Sequence, residues 1–489
     1  MNGVRTVWLS VRDSLWFIPS VMVCGSMVLA LALIESQALT GSELARNWPR
    51  LFGAGAEGAR GMLSAIATSM ITVAGVVFSI TIVSLSLAAS QYSPRVLRNF
   101  MSDRTTQVVL GAFVSVFTYC LIVLRTIRGS DEGDFVPSVA VLGGVLLALA
   151  AVALLIYFIH HVASAIQVSS IVGRISEETE AAIQRLFPAD VSLPPGSAQQ
   201  ATPLMPPPRP AAEARIVLAP DSGYLVSIDA DGLLRAAVGG DQVIEVVPRV
   251  GDFVLRDEPL CRVYTAAAGP GRPEEADDGL CSCFVLQAER TVHQDVFHGL
   301  QQLVDVGLKA LSPSVHDPST AIACIHRLGH LLALLAAREM PQPERLVDGR
   351  LRLVVPAPRF GELLHAAFDP LVRHIGSHAE VYAAVVRMQA RIGSFARDTT
   401  RIHELCRQLN EVAAVLEAVE LSTQARSVLD DLIAAARHDL AMSTDSTARR
   451  VGAKGANPLR PSPDGAARAA PTSPGPARRA ATSPVRARR

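Results

Sequence analysis

Apolar residues are distributed so unevenly that the chain divides in two before any motif is considered. Four segments, Leu15–Ile34, Met62–Ala89, Val108–Ile127 and Val136–Ile159, are apolar throughout and almost free of charge. A bilayer core about 30 Å thick takes about 20 such residues as a helix, because unpaired backbone groups cannot be left in hydrocarbon. The pattern predicts about four spans within residues 1–187. The first has too long an apolar run for a signal peptide and no clean small-x-small cleavage site after it, so it reads as a span.

Beyond His160 the fourth helix is expected to continue to about Phe187, carrying Arg174, Glu177, Glu178 and Glu180 into water. Residues 188–214, with Pro194-Pro195 and Pro206-Pro207-Pro208, read as a stiff extended linker. Short runs at Ile216–Leu218, Gly223–Ile228, Val243–Val247 and Pro259–Val263, then Ser282–Leu286, alternate with Gly and Asp turns. They predict a small β-barrel or sandwich over 215–288. A helical subdomain over 289–442 follows. Its elements are an amphipathic helix at Thr291–Leu311, a helix opening at Asp317-Pro318, a strand at Leu351–Val355, and helices at Phe360–Arg373, Ala379–Ile392 and Arg401–Met442. From Ser443 the sequence is poor in apolar groups and rich in Ala, Pro, Gly and Arg, a composition that predicts a disordered tail. The fold class is thus a polytopic α-helical membrane protein with an α+β portion in water.

Charge changes this picture little. Over 489 residues 45 basic and 45 acidic groups cancel, which argues against bulk nucleic-acid binding, but from Ala441 onward ten Arg/Lys face two Asp. Such a basic tail fits anionic lipid, at about 1 kcal/mol per cationic side chain near the surface. Arg5, Arg12, Arg95, Arg98 and Arg104 are matched by Arg46, Arg50, Arg60, Arg125 and Arg128 in the opposing loops, so the arginine bias is shallow, and the free cysteines of the soluble part place both termini in the cytoplasm. Lys309 and Lys454 are the only lysines, so the chain holds no phosphate-binding Gly-Lys-Ser/Thr loop. The run Val250-Gly251-Asp252-Phe253-Val254 is like the turn of biotinyl and lipoyl carriers, but without a lysine nearby it has nothing to acylate. Seven irregularly spaced cysteines give no disulfide framework, and Cys281-x-Cys283 lacks the second pair of a zinc site.

The second span is distinguished by hydroxyls. Thr68, Thr72, Gly75, Ser79 and Ser86 recur at steps of 4, 3, 4 and 7 and form one small polar stripe. It reads either as a close helix-packing face or as the wall of an ion or solute pathway across a homo-oligomer. The span exits through Ser90-Gln91-Tyr92-Ser93-Pro94-Arg95, where Pro94 ends the helix and the arginines meet head groups. In the water-side portion Asp295, Asp305, His316 and Asp317 are the nearest approach to an active site, with His293 or His298 as further donors. Asp317 also suits an N-cap. His326 and His330, four apart, lack the glutamate of a zinc-protease motif.

The helix-exit run resembles the signature of a bacterial family of predicted membrane proteins catalogued as domain of unknown function 2254. The same resemblance extends through Arg98, Asp103, Arg104 and Gln107, then Arg290-Thr291, Gln294-Asp295, Gln302-Leu303-Val304-Asp305, Ala310-Leu311-Ser312-Pro313, Asp317-Pro318 and Thr320-Ala321. Tyr92 stands where that pattern has Phe, and His316 and Ser319 where it has Asn and Phe. The resemblance implies a multi-pass protein of the bacterial cytoplasmic membrane and no particular activity. The residues themselves favour a sensory or interaction protein with a ligand- or partner-binding domain. The alternative is an oligomeric channel or passive transporter. Catalytic residues, cofactors and bound metals are not expected.

Overall fold

The computed structural model describes residues 16–40, 55–91, 104–128, 135–165, 167–188, 214–265 and 275–455. Tyr92, Ser93, Pro94 and Arg95, most of the proline-rich linker, and residues 456–489 of the basic tail lie outside the described residues.

Four long helices open the chain: α1 (Phe17–Thr40), α2 (Ala56–Gln91), α3 (Arg104–Thr126) and α4 (Ser138–Ala165). The third is central and packs against the other three. It buries Val109, Phe113, Val116, Tyr119, Cys120 and Val123 along its length. Small residues set the close approaches. A Cβ on Gly111 would lie 2.8 Å from Met22 Sδ and 3.0 Å from Pro19 Cα, so α1 and α3 meet nearly backbone to backbone there. Tyr119 brings a hydroxyl into this apolar core and satisfies it by donating to the Ala140 carbonyl at 2.7 Å.

The fourth helix does not run on to Phe187. Gln167 is extended (φ −67°, ψ 132°) and starts a separate helix, α5 (Val168–Leu186). Its stripe of Ile171, Val172, Ile175, Ala182 and Ile183 belongs to the core of the water-side domain. The chain must turn to lay this stripe on its partners.

Among the described residues eight strands follow in two open sheets: β1 (Arg215–Leu218), β2 (Gly223–Ile228), β3 (Gln242–Val246), β4 (Phe253–Val254), β5 (Pro259–Thr265), β6 (Phe284–Gln287), β7 (Glu344–Val347) and β8 (Arg350–Val354). One sheet has the order β1-β5-β3-β8-β7 and the other β4-β2-β6. Both ends of each sheet are edges, so the barrel half of the barrel-or-sandwich expectation is corrected: no closed barrel forms. Val217, Leu225, Ile244, Val254, Leu260, Phe284 and Leu353, drawn from both sheets, share one core with Leu233 and Ala237 of α6 (Ala230–Gly239). The sequence pattern did not show α6, whose N-terminus is capped by Asp229 accepting from the Gly232 amide at 2.9 Å. Strand β8 enters beside β3 in parallel, Ile244 opposite Leu353, so the larger sheet is completed by residues from the helical half. A short helix, α7 (Glu275–Cys281), leads into β6.

The helical layer comprises α5 with α8 (Val296–Leu311), α9 (Pro318–Ala337), α10 (Phe360–Val372), α11 (Ala379–Gly393), α12 (Thr399–Glu417) and α13 (Thr423–Gly455), packed on one large core. The expected helix over Arg401–Met442 is two helices. Arg426 donates to the Leu416 carbonyl at 3.2 Å and to that of Val419, closing the end of α12, while Ser422 Oγ accepts from the Ala425 amide at 3.2 Å and starts α13. The last helix reaches Gly455, beyond the Ser443 at which the tail was expected to begin.

Among the described residues five helices are long and apolar enough to cross a membrane, α1 to α4 and α9. They differ in surroundings. Ala321, Cys324, Ile325, Leu328, Leu331, Leu332 and Leu335 of α9 are fully buried in the water-side core.

Candidate functional site

A cleft of about 740 Å³ lies between the sheets and the helical layer. Its floor is built by the turn that precedes α8. Asp295 is the N-cap of that helix, its Oδ1 accepting from the His298 amide at 3.0 Å. Its Oδ2 accepts from Arg290 Nε at 2.9 Å and Nη2 at 2.7 Å, and Arg290 Nη1 donates to Gln301 Oε1 at 2.9 Å. Burial pushes the Asp295 carboxyl above the ordinary carboxylate range, partly offset by the Arg290 guanidinium and the His298 amide. Next to it, Gln294 Oε1 accepts from the Ile228 amide at 3.0 Å and ties the turn to β2.

The sheet side of the cleft is the turn before β4. Gly251 has φ +98°, and a Cβ there would collide with the Asp295 carboxylate and the Arg290 guanidinium. Only glycine gives both the backbone angle and the space. Its amide donates to the Leu225 carbonyl at 2.7 Å. Arg249 pairs with Glu362 of α10 at 3.0 Å, so an ion pair links the two layers at the rim, while Arg345 of β7 pairs with Asp231 of α6 at 3.3 Å within the sheet layer.

A third wall comes from the membrane side of the chain. Leu186 and Phe187, at the C-terminus of α5, line the cleft. Their position is fixed by Arg185 donating to the His293 carbonyl at 3.0 Å and by Arg338 donating to the Phe187 carbonyl. One end of α5 thus touches the cleft while the other follows α4 directly.

The four residues of the expected polar site are not brought together. Asp295 caps α8, while Asp305 lies ten residues on, which is about 15 Å along a helix axis. His316 adopts φ 51° and packs its ring against that of His378, with centroids 4.8 Å apart and the planes tilted by 54°. Asp317 caps α9, accepting from the Thr320 amide at 3.1 Å and hydroxyl at 2.6 Å; that hydroxyl is the main reason its carboxyl is held below the usual range. His298 is buried beside Gln302. His330 is exposed and pairs with Glu180 at 3.2 Å, and His326 is exposed too.

On α2, Thr68, Thr72, Gly75, Ser79 and Ser86 are all exposed. The buried face is Ala59, Leu63, Ala67, Met70, Ala74 and Val77, and the stripe lies beside it, turned about 100° per residue step away. Thr72 returns its hydroxyl to the Thr68 carbonyl at 2.8 Å, and nothing lies within 4 Å of a Cβ built on Gly75. The stripe therefore packs on none of the described helices. Ser90 and Gln91 end α2.

Sequence reasoning found Asp295 but not its cleft, because the opposing wall is a turn some 40 residues upstream whose only signal was a Gly-Asp pair. It also missed His365, Asp369 and Glu411, whose ligand atoms lie within 4.8 Å of one another.

Residues 12–391 match the family described as predicted membrane protein, domain of unknown function 2254. Uncharacterized proteins of Mycobacterium bovis and Mycobacterium tuberculosis are each 32% identical to the chain over 408 residues, covering 82% of it and 76% of their own length. No solved structure matches.

Proposed function

The chain belongs to this family of predicted membrane proteins, and on that premise we propose that it is a four-span receptor-type protein whose water-side domain binds a small polar ligand and signals through α5. The observation that carries the reading is the placement of Leu186 and Phe187. A ligand in the cleft contacts the end of the helix that follows the last span. Binding shifts such a helix only if the ligand prefers one of its two positions, and a cleft wall is where that preference arises. Arg249, Arg290 and Arg345 line the cleft together with Asp229, Asp231, Asp252 and Asp295, which favours a ligand carrying both charges, such as an amino acid or short peptide.

The surroundings of the helices support four spans rather than five. Val28, Leu31, Val83, Leu146, Leu149, Ile156 and Ile159 point outward from α1, α2 and α4, as lipid-facing residues do, whereas α9 sits in a core it shares with α5, α8 and α11. The free cysteines of the water-side domain fit a cytoplasmic placement at the bacterial inner membrane, and the shallow arginine pattern does not oppose it.

The test uses the full chain in nanodiscs, screened by thermal shift against amino acids and short peptides. A binder raises the melting temperature, and Arg345→Ala and Asp231→Ala reduce the effect. A screen in which no zwitterion shifts the transition overturns the reading.

A second reading is supported by the outward stripe of α2. A homo-oligomer that joins copies along Thr68, Thr72, Gly75 and Ser79 would place hydroxyls where ions or small solutes pass. Liposome flux that falls in Thr72→Leu and Ser79→Leu supports it, and tight liposomes remove it.

A further inference from the structure

We propose that His365, Asp369 and Glu411 form a site for a divalent first-row transition ion that joins α10 to α12. His365 and Asp369 are four residues apart, and so share one face of α10. Glu411 reaches them from α12. His365 Nδ1 lies 3.0 Å from Asp369 Oδ2 and 3.7 Å from Glu411 Oε2. An ion bound at about 2.0–2.2 Å from each ligand holds their atoms about 3–3.5 Å apart, so the site closes with small side-chain adjustments.

Both Asp369 oxygens face the imidazole, Oδ1 at 3.1 Å and Oδ2 at 3.0 Å from His365 Nδ1. Asp369 Oδ1 also accepts from Gln408 Nε2 at 3.0 Å, and Gln408 Oε1 accepts from Gln389 Nε2 at 3.0 Å. These glutamines are 1% and 0% exposed, a buried relay that orients one carboxylate of the cluster. Glu411 Oε1 accepts from Arg407 Nη1 at 3.3 Å. Behind the ring, Glu404 Oε2 lies 3.7 Å from His365 Nε2, where an outer carboxylate orients a metal-bound histidine.

An arginine can only donate, so the contact of Arg407 Nη2 with His365 Nε2 places the imidazole proton on Nδ1. Metal binding at Nδ1 moves that proton to Nε2, which then donates to Glu404 as Arg407 turns aside. Asp369, Glu404 and Glu411 against Arg407 leave the cluster two charges negative, which a divalent ion cancels. A nitrogen with two carboxylates favours transition ions over Ca²⁺ or Mg²⁺, which take all-oxygen sets. Half-exposed Glu411 leaves an entry path and open positions.

The test uses the full chain in nanodiscs, stripped with chelator and titrated with Zn²⁺ alone. The expected result is one Zn²⁺ per chain at micromolar affinity or better. His365→Gln should weaken it about 100-fold and Glu404→Gln about tenfold, on the scale of ligand and outer-carboxylate losses. Glu411→Gln keeps the size of a half-exposed side chain and should also weaken binding at least tenfold. Co²⁺ should bind without a sulfur-to-metal charge-transfer band, which separates this site from the seven cysteines. No stoichiometric Zn²⁺, affinity unchanged in both His365→Gln and Glu411→Gln, or a thiolate band from the bound Co²⁺ overturns the proposal.

Discussion

Replacing Asp295 with alanine removes a helix cap and one half of a buried ion pair together, and the two contributions separate in a series of variants. The cap alone is worth about 1 kcal/mol. Removing one member of a buried pair costs about 3–5 kcal/mol when the remaining charge stays buried. Arg290 is 18% exposed and keeps its bond to Gln301, so the low end of that range applies. Asp295→Ala should therefore lose about 4 kcal/mol. Asparagine retains the cap, and Asp295→Asn should recover about 1 kcal/mol of that loss.

The pH dependence has a definite sign. Because the folded-state carboxyl titrates above its unfolded value, the native protein holds an extra proton between the two. The stability contributed by Asp295 is full below the unfolded pKa and is lost as pH rises through the folded one. Wild type should accordingly lose ground to Asp295→Asn as pH rises across that interval. The assay is hydrogen exchange of the amides that open α8, His298 above all, with urea unfolding of the full chain in nanodiscs beside it. A loss of 1.4 kcal/mol speeds local exchange about tenfold. Equal stability of the alanine and asparagine variants, or a wild type that gains on Asp295→Asn with rising pH, would refute the reasoning.

Three other outcomes are expected. Gly251→Val forces a branched side chain to a φ of +98° against the Asp295–Arg290 pair and should cost more than about 2 kcal/mol, read as a lower melting temperature and faster exchange in α8. Gly111→Leu should separate α1 from α3 and cost about 1–3 kcal/mol of bundle stability; an unchanged thermal transition would show that the contact with Met22 is not close in the membrane. In spheroplasts, a cysteine replacing His326 should react with an impermeant maleimide only after lysis, as a C-terminal tag does, and labelling before lysis would contradict a cytoplasmic α9.

The four candidate spans were legible because a bilayer imposes a local rule: about 20 apolar residues, whatever they pack against. The N-caps at Asp295 and Asp317 can be read locally too, since a cap bonds an amide two or three residues away. Hairpin β7–β8 carried its own signal in Asp348-Gly349, both at positive φ, which the sequence reading did not take up.

Apolar content does not say which solvent a helix meets. Helix α9 is apolar enough for a membrane, and only the tertiary structure shows it packed against α5, α8 and α11. Helical spacing arranged the hydroxyls of α2 in a stripe, but which way the stripe faces depended on where α3 lies. Asp295 and Asp305 share a helix segment, yet the rise along its axis separates them, and the true partners of Asp295 are Arg290 beside it and a glycine turn from the opposite layer. The sequence alone thus determined the elements whose causes are local: spans, caps and turns. The tertiary structure decided what joins residues far apart in the chain, the cleft and the His365 cluster among them, because burial and charge pairing depend on which elements pack together.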